Sequence, residues 1–152
     1  MANRYLRATG NWNGPVWAAT SGGAAGSAST PTGSDTVYIN ANYTVTLTAN
    51  AAAMKVVHTN GRLNLGSYRL GGNLGIHSTG SNTRILDLGA GTLGINPSSS
   101  GTIMELSGTN LTVLSSGSRI ETTSPYMYSA DQTHTMILGN HTIGDLYSTF
   151  GN

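Results

Sequence analysis

The ten residues "LDLGAGTLGI" at 86–95 return as "MELSGTNLTV" at 104–113, similar in chemistry at each position and 18 residues further on. A shorter form, "YRLGGNLGI", stands at 68–76, and a looser one, "ILGNHTIGDL", at 137–146. Each unit reads apolar-x-apolar, then a turn of three or four Gly, Asn or Thr residues, then apolar-x-apolar again. A unit this short cannot bury its own apolar face, so neighbouring units must stack into a common core. A second phase of the repeat carries Ile39, Val45 and Leu47 into Val57, Leu63 and Leu65, again 18 residues on.

From Asp35 onward the chain alternates apolar and polar residues, as in "TVYINANYTVTLTAN" at 36–50, the period of half-buried strands. The expected fold is all-β: a parallel β-helix, or β-solenoid, of about 18-residue coils, right-handed by the chirality of parallel crossovers. An antiparallel β-sandwich or jelly roll is the alternative, because frequent short strands separated by turns suit it as well. With strands about 4.8 Å apart, stacking would set Leu70, Leu88, Leu106 and Leu138 in one internal column and Leu74, Leu93 and Leu111 in another. Gly71, Gly89 and Gly139 follow the first column, where a corner needs positive φ or close passage to the next coil.

The chain divides into three. Residues 1–34 hold both tryptophans, a Gly/Ala/Ser run and the turn cluster "TPTGSD", and read as an N-terminal attachment or capping segment. Residues 35–124 carry the solenoid repeats, and 125–152 form a less regular cap or contact segment.

Charged residues make up only 9% of the chain and the net charge is +1, which leaves no basic footprint for nucleic acid. With no cysteine there is no disulfide framework, thiolate metal site or cysteine nucleophile. The N-terminus lacks an apolar signal region and no run is long enough to cross a bilayer, so membrane insertion is not expected. No cofactor is expected either, since "LGGNLG" and "LGAGTLG" sit between short strands and lack the helix that a dinucleotide fingerprint needs. His58, His77, His134 and His141 match no zinc spacing and read as surface or corner residues, with no metal.

Asp87 and Glu105 are the weak catalytic candidates. The repeat would place them on adjacent coils with both carboxylates pointing outward, as a glycosidase would use them, although no basic residue recurs beside the pair to tune a proton donor. Ile85 and Ile103 share that outward phase, and apolar residues in register along an outer face suit lateral packing against another subunit. Tyr126 and Tyr128 could contact a partner or a sugar ring. Trp12 and Trp17 are expected to plug the open end of the first coil.

The leader supplies a further expectation. Gly10, Asn11, Trp12, Trp17, Ser21, Gly22, Gly23, Pro31, Thr32, Asp35, Val37 and Ile39 form a G-N-W, W, S-G-G, P-T-x-x-D-x-V-x-I pattern. It resembles the segment that precedes a β-solenoid in tailed-bacteriophage virion structural proteins of the fibre, spike or decoration type. The resemblance covers about the first third of the chain and fixes no catalytic residue. It implies a non-enzymatic virion component, a homotrimer joined to other virion proteins through its N-terminal segment, with host-surface glycan as a further partner. The alternatives are a tailspike-like carbohydrate-binding or polysaccharide-degrading β-helix and a bacterial surface adhesin module.

Overall fold

The structure, a computed structural model, describes residues 1–72, 74–95, 101–123, 134–137 and 145–149, and gives backbone alone for 101–103, 122–123, 134–137 and 145–149. Among the described residues every regular element is a strand. Numbered along the chain, the strands fall into three sheets. Sheet A holds β1 (Asn3–Leu6), β3 (Trp17–Ala18), β4 (Thr36–Ile39), β7 (Lys55–His58), β10 (Gly75–Ser78), β13 (Gly101–Leu106) and β16 (His134–Ile137). Sheet B holds β2 (Gly10–Asn11), β5 (Thr44–Thr46), β8 (Gly61–Asn64), β11 (Arg84–Gly89) and β14 (Leu111–Ser115). Sheet C holds β6 (Ala51–Ala52), β9 (Arg69–Gly71), β12 (Thr92–Ile95), β15 (Arg119–Thr123) and β17 (Asp145–Thr149).

From β4 to β16 the chain visits the sheets in the repeating order A, B, C, and each strand from β4 to β13 pairs in parallel with the third strand along. This parallel pairing rules out the antiparallel sandwich. The exception is β3, which lies antiparallel against the outer edge of β1 and ends sheet A. An exposed strand edge invites unwanted pairing, and this short reversed strand covers it.

The alternation of each strand delivers its inward residues to one core. Val37, Val56, Ile76 and Met104 are in register on sheet A, Val45, Leu63, Leu86 and Val113 on sheet B, and Leu70, Leu93 and Ile120 on sheet C. All belong to a single apolar cluster. Residues 1–34 are continuous with it rather than a separate unit: β1 and β2 extend sheets A and B, and Trp12 and Trp17 are buried in the same cluster. At the far end, β16 and β17 extend sheets A and C.

The 18-residue period holds for one pairing and then fails. Val45 pairs with Leu63, 18 residues on, whereas Leu63 to Leu86 is 23 and Leu86 to Val113 is 27. The repeated text marks a corner, not a complete circuit. "YRLGGNLGI" leads from sheet C into sheet A, "LDLGAGTLGI" from B into C, and "MELSGTNLTV" from A into B. Each corner makes the same demand: an inward apolar residue, a tight turn, and another inward apolar residue. Leu70, Leu88 and Leu106 therefore lie on three different sheets instead of one column, and Leu138 is outside the described residues. Leu93 is the register partner of Leu70, joining two residues expected in separate columns.

Candidate functional site

The same displacement separates the paired carboxylates. Asp87 is on β11 in sheet B and Glu105 on β13 in sheet A, so the two are not neighbours across a ladder. Asp87 pairs with the Arg62 guanidinium, and its Oδ1 accepts the Gly89 N–H at 3.1 Å. Glu105 accepts the Ser107 hydroxyl at 2.7 Å and lies 3.7 Å from His77 Nδ1. Each carboxylate is engaged by its own local partners.

Ile85 and Ile103 part in the same way. Ile85 is half-buried on the outward face of sheet B, in register between Arg62 and Thr112, and Leu114 is exposed on that same face. Ile103 is on sheet A, at a register shift between Thr102 and Met104, and its side chain is outside the described residues. Tyr126, Tyr128 and His141 also fall outside them.

The outward row of sheet A runs Tyr5, Tyr38, Val57, His77, Glu105 in register. The Tyr5 and Tyr38 rings stack with centroids 4.6 Å apart. On sheet C the Arg69 guanidinium crosses over Gly94 to reach Glu121, which Arg119 also meets at 3.2 Å. A Cβ at position 94 would collide with that guanidinium, which explains a glycine in a strand interior.

At the N-terminal end, Trp12 and Trp17 meet edge to face at 5.1 Å, and the Trp17 Nε1–H donates to the Trp12 carbonyl at 2.6 Å. Asp35 closes the "PTGSD" turn: its carboxylate accepts the Thr32 N–H and hydroxyl and the Ala2 N–H, each at 3.0 Å. Burial opposes its ionisation, yet those bonds and the Arg4 charge hold its pKa below the usual carboxylate value. The leader positions Trp12, Trp17, Asp35, Val37 and Ile39 are thus all buried.

No match to this chain is found among protein-family models, curated proteins or solved structures. Its chemistry has to be read from its own side chains.

The most unusual group of them is internal. Where sheet A turns into sheet B, His58, Ser78 and Arg84 are fully or almost fully buried in an otherwise apolar interior. Arg84 donates to the carbonyls of Gly80 (2.8 Å), Asn82 (3.3 Å), Ser107 (3.0 Å) and Thr109 (2.7 Å) and to Ser78 Oγ (3.2 Å). One guanidinium thereby ties together the turns after β10 and β13. His58 Nε2 lies 3.0 Å from the Gly61 carbonyl, which only accepts, so Nε2 carries the proton. Nδ1 is then the acceptor, and the Ser78 hydroxyl donates to it across 3.1 Å. Burial lowers the His58 pKa to about 4; the Gly61 carbonyl works against the shift and the Arg84 charge adds to it. Burial lowers the Arg84 pKa too, from a starting value so high that it remains a cation.

His58 stands at a corner, as one form of the expectation had it, but is fully buried there and not a surface group. The signal for the whole cluster was in the alternation: Arg84 is in phase with Leu86 and Leu88, His58 with Val56, and Ser78 with Ile76.

Proposed function

We propose that this chain is a non-enzymatic structural component of a tailed-bacteriophage virion, a right-handed parallel β-helix that assembles as a homotrimer and acts as a fibre or capsid decoration protein. The observation that carries the proposal is the strand order, in which each strand from β4 to β13 pairs in parallel with the third one along and all three sheets feed one core. A chain wound in this way resists unfolding because ladder bonds and core rows continue from one circuit to the next. Such a body suits adhesion and mechanical protection.

The leader supports the same reading. The residues that carry its resemblance to virion proteins build the first circuit: Trp12 and Trp17 fill its end, Asp35 locks its turn, and Val37 and Ile39 enter the core. In this proposal the N-terminal segment joins other virion proteins, and host-surface glycan is a further partner, with Tyr126 and Tyr128 as candidate contacts outside the described residues. A threefold axis would close the assembly through heterologous contacts, each subunit's face meeting a different face of the next. Ile85, with Leu114 on the same outward face, is the candidate contact between subunits.

Light scattering after gel filtration tests the assembly. A trimer that persists in dodecyl sulfate, and that dissociates in an Ile85→Arg variant, is the expected result. A monomer at micromolar concentration would overturn it.

A further inference from the structure

The polar cluster at the A-to-B corner is an odd insertion in this interior. In sheet A the row that contains it runs Ile39, His58, Ser78, Leu106, and in sheet B the register row places Arg84 between Gly61 and Leu111. Apolar residues stand before and after, so the fold does not need polarity at these positions in general. The cluster sits where the connection between the two sheets lengthens, from residues 59–60 to 79–83 and then 107–110. Arg84 donates to the Gly80, Ser107 and Thr109 carbonyls of these longer turns, the first of which also accepts the Thr109 N–H.

We propose that His58, Ser78 and Arg84 form an acid-sensitive latch, closed when a neutral His58 accepts the Ser78 hydroxyl and released when His58 is protonated, freeing the turns 79–83 and 107–110. Protonation places a hydrogen on Nδ1, where the Ser78 hydroxyl now donates. Ser78 Oγ would then face two cationic donors, imidazolium and guanidinium, with its own hydrogen left without an acceptor. The groups facing His58 are Ile39 from β4, Gly61 from β8, Ser78 from β10 and Arg84 from β11, so the one charge among them repels it. Among the described side chains no carboxylate compensates: Asp87 is held by Arg62, Glu105 is outward with Ser107 and His77, Glu121 is held by Arg69 and Arg119, and Asp35 is tied to Thr32 and Ala2.

Direction follows from linkage. The closed corner keeps His58 neutral down to about pH 4, while the opened corner has the ordinary value of 6.5 and binds more protons in between. Stabilisation is complete above pH 6.5 and is lost as the pH falls toward 4. Between pH 7 and pH 5 the corner should open about twentyfold more often.

Hydrogen exchange on the full chain tests this, with intrinsic rates corrected for pH. The reporters are the amides of Thr79, Arg84, Ser107 and Thr109, which bond across the A-to-B corner, and the reference is Leu65, Ala90 and Ser116, which bond across the B-to-C corner. The expected result is loss of protection at pH 5 for the first set alone. Equal protection at both pH values, or equal loss at both corners, overturns the latch. A His58→Gln variant, whose amide can donate to Gly61 and accept from Ser78 without titrating, should hold the corner at both pH values, and loss there at pH 5 would also sink it. Should that variant not fold, the ring titration of His58 in the unsubstituted protein decides: a midpoint well below 6.5 supports the latch and one at or above 6.5 refutes it.

Discussion

Strand β11 ends in two corners that meet the same requirement with opposite chemistry. At its start, Arg84 turns inward and uses a guanidinium to satisfy the carbonyls of two long turns. At its end, Leu88 is buried and Gly89 takes φ of +52°, so that the backbone satisfies itself: Ala90 N–H reaches the Gly66 carbonyl and Ser116 N–H the Gly89 carbonyl. The glycine corner is compact and propagates from coil to coil through backbone bonds, with Asn64 and Asp87 accepting the Gly66 and Gly89 N–H groups within each coil. The arginine corner accommodates longer connections, at the cost of burying a charge whose loss leaves several acceptors unsatisfied. Comparing the two shows that a stacked fold need not repeat its chemistry where it repeats its path.

Breaking the arginine corner should have the largest effect. Arg84→Met keeps the bulk of the side chain and removes the donors, so unfolding free energy in urea should fall by roughly 3–5 kcal/mol. Arg84→Lys should rescue only part of that, because an ammonium cannot reproduce the fork that spans both turns. The glycine corner should be less costly to disturb. Gly89→Ala forces a Cβ against the Gly66 carbonyl oxygen at positive φ, and a loss of about 2 kcal/mol is expected in the same assay. Combining the two changes sharpens the comparison: additive losses mean independent corners, and a deviation above about 0.5 kcal/mol means coupling along β11.

The smallest effects belong to the outward faces. Asp87→Asn and Glu105→Gln should each shift stability by less than about 1 kcal/mol, since their ion pairs are partly exposed. Their double variant should show no interaction energy, because the residues stand on different sheets. A clear coupling in the urea midpoints would contradict the register.

Much of the fold was legible. The alternation after Asp35 marks strands, and the inward phases of Val37, Val45, Val56 and Leu63 follow from it directly. Gly89 is a corner with positive φ, as the repeat suggests; at the C-to-A corner after β9 the conformation belongs to Gly72 (φ +101°) and not Gly71, and Gly139 is outside the described residues. The candidate pairs Asp87 with Glu105 and Ile85 with Ile103 were not legible, because an 18-residue text repeat does not say how many corners make one circuit. Arg84 was not singled out, since an isolated cation is rarely fully buried and nothing nearby in sequence announces five acceptors.

By itself, the sequence determined that this chain is made of short strands with period-two faces and recurrent glycine turns, since those properties depend on neighbours two to ten residues apart. Tertiary structure decided which strand pairs with which, because a parallel ladder is formed by residues 18 to 35 apart and its register depends on the length of every intervening turn. It also decided that a charged side chain belongs inside. That choice is favourable only once two successive turns bring their free carbonyls to the same place.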